Sequence, residues 1–331
     1  MPPPTFYFAV GVRPRSRDCL VAMLAGQRHF LVPAGSPADR LLQRTLGVHV
    51  VLDSWAFPPG NPVRPSLARY AHLVAGWHAH TRFAAESGQL DAPWLDWAVS
   101  YDTIGDGAAS ERDDAQLQAL CRQRCRTPDP PIVPVVHYPS ASADAIIGAL
   151  LRDRALCFDD DEQAQLDQRL ASGFADEPDG PPDWPVCAIG GLVPAHYSRA
   201  STCWYEQLIA DLEAAVTLDP FQRRIHLLGI GRPSWVLASP LVMSFDSSGP
   251  ARLALIGFNQ GIGHTYTDAY GLSVAKLRRS REARLVYHVA DYRARVDLPW
   301  QRVDEEALLD DREIALLPAA DLEHWDQVAL V

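Results

Sequence analysis

Residues 48–57 read VHVVLDSWAF, in which a mostly β-branched apolar run is followed by an aspartate and a serine. Seven further runs have the same form, and most of them end in glycine, proline or aspartate. They are FYFAVGV (6–12), HFLVP (29–33), WLDWAVSYD (94–102), IVPVVHY (132–138), PVCAIGG (185–191), RIHLLGIG (224–231) and LVMSFD (241–246). Several are apolar on both faces, which is typical of strands buried on both sides of a parallel sheet. The sequence therefore predicts eight strands, of which 48–53 is the third.

Longer segments with helical patterning separate most of these strands, namely 66–87, 111–126, 142–153, 160–172 and 202–217. This alternation predicts parallel βα units. Eight strands within roughly 250 residues match the usual size of a (β/α)8 barrel, and a doubly wound open sheet is the alternative. We predict an α/β fold with a (β/α)8 TIM-type barrel over residues 1–284. A short acidic C-terminal extension over residues 285–331 is predicted to pack on the barrel.

The composition indicates a globular protein with a sizeable core, because 47% of the residues are hydrophobic. The chain lacks an apolar run of about 18 residues, and its start, Met1-Pro2-Pro3-Pro4, lacks the pattern of a signal peptide. We therefore expect no membrane partner and a cytoplasmic location. The six cysteines are scattered without a CxxC pair, which predicts reduced, mostly buried thiols.

Carboxylates follow three of the predicted strands, at the end where a βα barrel carries its reactive groups. Asp53 ends the third strand, Asp102 ends the fourth with Asp106 just beyond it, and Asp246 ends the eighth. Paired carboxylates suit the breaking of a glycosidic bond, because one attacks the sugar carbon while the other moves a proton. Each aspartate taken alone could instead be a helix N-cap. The joint pattern favours a catalytic site.

Six segments together resemble, in order and spacing, the tRNA-guanine transglycosylase superfamily. Within it they are most similar to the DpdA-type enzymes, which insert 7-deazaguanine bases into DNA. The resemblance covers roughly residues 5 to 250. The segments are VLDSWAF (51–57), SYDTIGD (100–106), VPVVHY (133–138), AIGGLVP (188–194), HLLGIGRP (226–233) and VMSFDSSG (242–249).

The resemblance implies a role for each matching residue. Asp246 would attack the sugar C1′ and expel guanine, leaving a covalent glycosyl-enzyme, and Asp53 would be the general acid/base. Asp102 would accept hydrogen bonds from the purine edge, with Asp106 as the second candidate. His137 stands where the tRNA enzymes carry a base-reading glutamine, and a neutral imidazole there can still donate or accept one hydrogen bond. The other residues assigned to base binding are Phe57, Gly190, Gly191, Leu192, Leu228 and Gly229.

The sequence departs from the family at two further places. Trp55 and Ala56 stand where the family usually has two glycines, so the backbone is further from the ligand or Trp55 itself forms a wall. The tRNA enzymes also carry a Cys-rich zinc motif after the nucleophile strand, whereas this chain has no cysteine after Cys203. We therefore predict no zinc site and no other cofactor.

Two basic runs qualify the net charge of −11, which argues against nucleic-acid binding by bulk electrostatics. Arg13, Arg15 and Arg17 follow the first strand, and Arg232 follows the seventh. In the predicted barrel, the ends of these two strands lie beside the aspartates. The run KLRRSREAR (276–284) could add a second contact. The alternative is a polar loop for the first run and a solvated helix face for the second.

These observations predict a transglycosylase that replaces guanine with a 7-deazaguanine base in nucleic acid, with DNA favoured over tRNA. A target base in duplex DNA must leave the stack, so a DNA-opening partner protein is a reasonable hypothesis. Three alternatives stay open at this point: an enzyme acting on tRNA, a glycosylase or hydrolase acting on free nucleosides, and a catalytically silent barrel used as a binding subunit.

Overall fold

The computed structural model describes residues 4–10, 16–56, 61–89, 91–104, 106–125, 130–137, 185, 187–190, 205–210, 225–230, 239, 241–256 and 270–312. Within these ranges the chain forms nine strands. They are β1 (Thr5–Ala9), β2 (His29–Pro33), β3 (His49–Asp53), β4 (Trp94–Val99), β5 (Ile132–Val133), β6 (Val135–His137), β7 (Cys187–Gly190), β8 (Ile225–Leu227) and β9 (Val242–Ser247).

All the strand pairings are parallel, and the strand order is β5-β4-β3-β2-β1-β9-β8-β7-β6. The described residues therefore form a nearly closed barrel of nine parallel strands. This confirms the predicted α/β class and the barrel-like arrangement.

The two ends of this strand order meet at Pro134. Ile132 pairs with Ala98 of β4, whereas Val135 pairs with Ala188 of β7. The Ala188 N–H donates to the Pro134 carbonyl at 2.8 Å. Proline has no N–H to donate, so Pro134 forms no donor hydrogen bond to a neighbouring strand where β5 ends and β6 begins. One extended segment thus contacts β4 with its first half and β7 with its second half.

Side chains alternate along the strands between the barrel interior and an outer layer under the helices. In β3, Val50 and Leu52 belong to the outer core, and Val51 belongs to the interior cluster. Since residues two apart share a face, His49 and Asp53 lie on the same side as Val51, at opposite ends of the strand. The apolar side chains between these ends are Tyr7, Ala9, Leu31, Val51, Trp97, Val99, Val133 and Ala188.

Helices cover the outside of the barrel. They are α1 (Ser16–Leu24), α2 (Pro37–Leu42), α3 (Leu67–Glu86), α4 (Gly107–Arg124), α5 (Gly249–Ile256), α6 (Val274–Arg279) and α7 (Arg281–Arg295), with a 3-10 helix at Glu305–Ala307. The predicted helix 66–87 corresponds to α3 with its caps Ser66 and Ser87, while α4 begins one turn before the predicted residue 111. Residues 205–210 are helical within the predicted 202–217. The predicted helices 142–153 and 160–172 lie outside the described residues.

Helix α7 joins the last part of the chain to the core. Its Leu285, Val286 and Val289 are fully buried, and the helix packs against α1 and α5. Arg293 donates to the Gln27 side chain at 2.6 Å, and Gln27 donates to a β1 carbonyl at 2.8 Å. Helix α7 crosses the boundary predicted at residue 284, so the packing has no break there.

Two expectations from composition can be compared with this fold. The described cysteines, at positions 19, 121, 125 and 187, are in no disulfide, and all but Cys125 are buried, which agrees with the predicted reduced, mostly buried thiols. In the part of the chain that the structure describes, no helix is both long enough and apolar enough for a membrane crossing.

Candidate active site

Asp246 lies near the C-terminal end of β9 and is held by two donors. Its Oδ1 accepts from the Gly229 N–H at 2.9 Å and lies 3.3 Å from Nε2 of the fully buried His226. Nδ1 of His226 lies 2.8 Å from the Ser244 hydroxyl. A carboxylate accepts hydrogen bonds, so the His226 tautomer with its hydrogen on Nε2 fits this contact and leaves Nδ1 to accept from Ser244. These contacts fix the orientation of the Asp246 carboxylate.

Gly229 can present its N–H in this way because of its backbone conformation. Its φ is 71°, in the left-handed region that glycine enters without a steric penalty. The next N–H, of Ile230, donates to the Asp246 backbone carbonyl at 2.8 Å. The turn after β8 is therefore bound to both the side chain and the backbone of Asp246.

Asp53 ends β3 at the same opening of the barrel, and its ionisation is strongly perturbed. Burial is the main cause that raises its pKa from 3.8 to about 7, and the nearby carboxylates of Asp102 and Asp246 raise it further. The Trp55 N–H, which donates to Asp53 at 3.3 Å, opposes this rise in pKa. A carboxyl group with a pKa near 7 can both give and take a proton at neutral pH.

Asp102 is buried and anchored on both carboxylate oxygens. Its Oδ1 accepts from the Ser54 hydroxyl at 2.9 Å, and its Oδ2 accepts from Nε2 of His137 at 2.5 Å. Each carboxylate oxygen has two lone pairs, so both can still accept from a ligand. The structure thus brings His137 and Asp102, which the sequence assigned separately to base recognition, into one hydrogen-bonded pair.

Arg64 connects the loops that follow β3 and β4. Its guanidinium donates to the Ser54 carbonyl at 3.2 Å and to the Asp102 carbonyl at 2.6 Å. It also lies 3.9 Å from the centre of the Tyr101 ring, which adds a cation–π contact. Sequence reasoning missed Arg64 because nothing in the local pattern after the third strand links it to residue 102.

His226 was also missed, although the sequence carries a signal for it. It is a polar residue inside the apolar run RIHLLGIG. Its side chain faces the barrel interior, where its ring contacts Trp97 at a centroid distance of 4.8 Å. A polar residue in the middle of a buried strand needs a partner, and Asp246 supplies it.

Trp55 adopts a backbone conformation that suits the glycine expected at its position. Its φ is 63°, which is uncommon for a bulky residue. The side chain is buried, and the indole Nε1 donates to the Ala34 carbonyl at 3.1 Å. The left-handed turn after Asp53 is thus kept without glycine, with the indole anchored against the chain that follows β2.

Gly190 permits the close approach of His137. A Cβ at position 190 would lie 2.7 Å from Nδ1 of His137, which is closer than real Cβ contacts allow. His137 and Gly190 are paired neighbours in β6 and β7. The glycine therefore makes room for the imidazole that holds Asp102.

Some of the other predicted site residues are described by the structure, and some lie outside the described ranges. Leu228 packs against the interior cluster, whereas Asp106 is an exposed N-cap that accepts from the Ala109 N–H at 2.9 Å. Asp106 thus has the capping role that was the alternative for any single aspartate. The predicted residues outside the described ranges are Arg13, Arg15, Phe57, Gly191, Leu192 and Arg232.

Several described residues of the two basic runs contact carboxylates of the protein itself. Arg17 forms an ion pair with Glu282, and Arg281 forms one with Asp18 at 2.7 Å. Arg17 lies in helix α1, so this part of the first run is not a polar loop.

The second basic run is only in part the solvated helix face that was its alternative, because Arg278 and Arg279 are exposed. Lys276 and Arg284 are buried. Lys276 pairs with Asp310 at 3.0 Å, and Arg284 pairs with Asp311 at 3.2 Å. This run binds the segment that follows α7.

Among the described residues, one group has the composition and spacing of metal ligands. It consists of His29, His49 and Asp96, whose ligand atoms lie within 4.8 Å of one another. His29 and His49 begin their strands, so the group lies at the end of the barrel opposite Asp53 and Asp246. β3 begins with His49 and ends with Asp53, and alternation along the strand places both side chains on the same face. This pattern was the sequence signal for His49, and sequence reasoning did not use it.

No family model and no curated protein matches this sequence. The assignment of a reaction therefore depends on the geometry of the site and on the resemblance of the six segments.

Proposed function

We propose that this protein is a base-exchange transglycosylase that replaces guanine with a 7-deazaguanine base in nucleic acid. The observation that carries the proposal is the pair Asp53 and Asp246, at one end of a parallel barrel, with the pKa of Asp53 raised to about 7. We further propose that the barrel is a (β/α)8 barrel, in which β5 and β6 count as one strand interrupted at Pro134.

The proposed reaction uses Asp246 as the nucleophile. One carboxylate oxygen attacks the sugar C1′, the C1′–N9 bond breaks, and guanine leaves with a proton that Asp53 donates. In the second half, the incoming base loses its N9 proton to Asp53 and attacks C1′, which releases Asp246. The proton balance closes, since Asp53 gives one proton and regains one. Its raised pKa supports both roles at neutral pH.

Asp102 is proposed to read the base. A carboxylate that only accepts suits the N1–H and the amino group of guanine, which 7-deazaguanines retain. The Ser54 hydroxyl and His137 hold this carboxylate from both sides, so it needs little reorganisation when the base binds. Loss of the His137 contact would leave the carboxylate less restrained, so we propose that His137 positions Asp102.

DNA is the proposed polymer, in preference to tRNA, and a DNA-opening partner protein belongs to this proposal. Its support is the resemblance to the DpdA-type enzymes. No cofactor is required, because both chemical steps use only carboxylates.

A second candidate, exchange or hydrolysis of free nucleosides, is favoured by the ion pairs of the basic runs. Arg17 contacts Glu282, and Lys276, Arg281 and Arg284 contact aspartates of the same chain. Those cations are partly neutralised before any phosphate arrives. A free nucleoside needs no phosphate contact, so the same Asp53 and Asp246 could act on it.

Mass spectrometry of nucleosides tests the proposal. The purified full chain is incubated with plasmid DNA, bulk tRNA or free guanosine nucleosides, each with a 7-deazaguanine base. We expect incorporation into DNA, abolished by Asp246→Asn and by Asp53→Asn. Asp91→Asn is the matched control, because Asp91 is exposed and precedes β4 at the other end of the barrel. Exchange that survives Asp246→Asn would refute the mechanism, and exchange into free nucleosides alone would select the second candidate.

A further inference from the structure

His29, His49 and Asp96 converge at the N-terminal end of the barrel. His29 and His49 are paired in register as the first residues of β2 and β3, and their rings stack at a centroid distance of 4.7 Å. Nδ1 of His49 lies 2.8 Å from Oδ1 of Asp96. Two imidazoles and one carboxylate from three adjacent strands thus meet at one point.

A β-bulge in β4 directs Asp96 to this point. Val50 pairs with Leu95 but Val51 pairs with Trp97, so Asp96 is an extra residue in β4. Leu95 faces the outer core and Trp97 faces the interior, and Asp96 between them also faces inward, towards Tyr7. Without the bulge, strict alternation would place Asp96 and Trp97 on opposite faces. Bulges commonly re-aim a side chain at a functional position.

The three side chains line a cavity of about 270 Å³, which is large enough for an ion and water. His49 is 45% exposed and Asp96 is 14% exposed, so the cavity opens to solvent on the His49 side. The Tyr7 hydroxyl donates to Oδ2 of Asp96 at 2.6 Å. That bond orients the carboxylate while Oδ1 points to His49, which is the usual arrangement behind a metal-binding carboxylate.

We propose that His29, His49 and Asp96 bind a divalent transition metal ion, with Zn²⁺ as the ion to test, because two imidazoles and one carboxylate form a known Zn²⁺ ligand set. Imidazole and carboxylate are ordinary ligands for Zn²⁺, and three protein ligands leave a fourth tetrahedral position for water. Binding at Nδ1 of His49 requires the neutral ring with its hydrogen on Nε2, so the hydrogen between His49 and Asp96 moves to Nε2 and the ion takes its place. This set differs from the Cys-rich site whose absence the sequence predicted.

The proposed ion would join β2, β3 and β4 at the end of the barrel that usually serves stability. The site does not involve Asp53, Asp102 or Asp246, so it stands or falls independently of the proposed base exchange. Its role is to tie three strand starts together.

Zinc retention tests the proposal directly. The full chain is saturated with Zn²⁺, dialysed, and assayed for bound zinc by elemental analysis. We expect one equivalent in the wild type and its loss in His29→Gln and in His49→Gln. His72→Gln is the matched control, because His72 is exposed on α3, and it should retain the ion. Tyr7→Phe should weaken binding by about 10-fold or more. No retained zinc in the wild type, or one equivalent in both histidine variants, would overturn the proposal.

X-ray absorption at the zinc edge gives a second test that needs no substitution. On the wild-type protein we expect only nitrogen and oxygen neighbours, at about 2.0–2.1 Å. Sulfur neighbours at about 2.3 Å would show that cysteines bind the ion and would overturn the assignment even if the histidine variants fail to fold.

Discussion

Replacement of Asp53 by asparagine should make the protein more stable at alkaline pH and leave its stability nearly unchanged in acid. Burial, and then the carboxylates of Asp102 and Asp246, raise the pKa of Asp53 from 3.8 to about 7. Between these two values the folded protein holds a proton that the unfolded chain has lost. Stability therefore falls as pH rises from about 4 to about 7, and the loss persists above pH 7. Asparagine resembles the protonated acid and carries no such loss.

The magnitude follows from the difference between the two pKa values. At about 1.4 kcal/mol for each pKa unit, a rise from 3.8 to about 7 corresponds to about 4 kcal/mol at pH 8. This figure is an upper limit, because the Asp53 side chain is only partly buried and water screens some of its interaction. At pH 4 the difference should be close to zero.

The assay is urea unfolding of the wild type and Asp53→Asn at several pH values between 4 and 8. Glu86→Gln removes one negative charge from an exposed helical side chain and controls for net charge. The free energy gained by Asp53→Asn should increase with pH. A gain that is the same at pH 4 and pH 8 would refute the claim that Asp53 retains its proton in the folded protein.

Four further outcomes are expected. If Asp53 protonates the leaving base, base exchange should slow above about pH 7, and a rate that keeps rising to pH 9 would contradict that role. Gly190→Ala should destabilise the protein by about 1–3 kcal/mol in urea unfolding, because its Cβ displaces His137, and an unchanged midpoint would count against the contact. Asp106→Ala should cost about 1 kcal/mol of stability, because Asp106 caps a helix, and should retain base exchange in the nucleoside assay. Loss of base exchange would instead indicate that Asp106 contacts the base. Tyr70→Phe should cost about 1–2 kcal/mol in the same unfolding assay, because its hydroxyl contacts backbone carbonyls near the C-terminal ends of β3 and β4. An unchanged free energy of unfolding would argue against that link.

Part of the candidate active site was predictable because strand direction fixes where a strand-end residue lies. In a parallel barrel all strands run the same way, so aspartates that end different strands must face one opening. The positions of Asp53, Asp102 and Asp246 could be predicted from this rule and from the apolar runs before them. The positions of their partners could not be predicted in this way. His226, Ser54 and Arg64 reach these aspartates across gaps of 20 to 48 residues in sequence, which no local pattern encodes.

The basic run 276–284 shows where charge patterning alone is insufficient. Lysines and arginines in a row predict a surface for anions, yet Lys276 and Arg284 are buried. Their partners, Asp310 and Asp311, lie more than 25 residues further along the chain. Which carboxylate neutralises which cation depends on how α6 and α7 pack, and the sequence spacing does not specify it.

The sequence by itself determined the parallel α/β class, the extent of helix α3, and the end of the barrel at which the carboxylates gather. These follow from periodicity, capping and strand direction, which are local properties. Only the tertiary structure decided how the segment around Pro134 joins both edges of the sheet, that Asp53 has a pKa near 7, and that a bulge brings Asp96 to His29 and His49. Each of these depends on burial and on contacts between residues far apart in the chain, and those exist only once the barrel has formed.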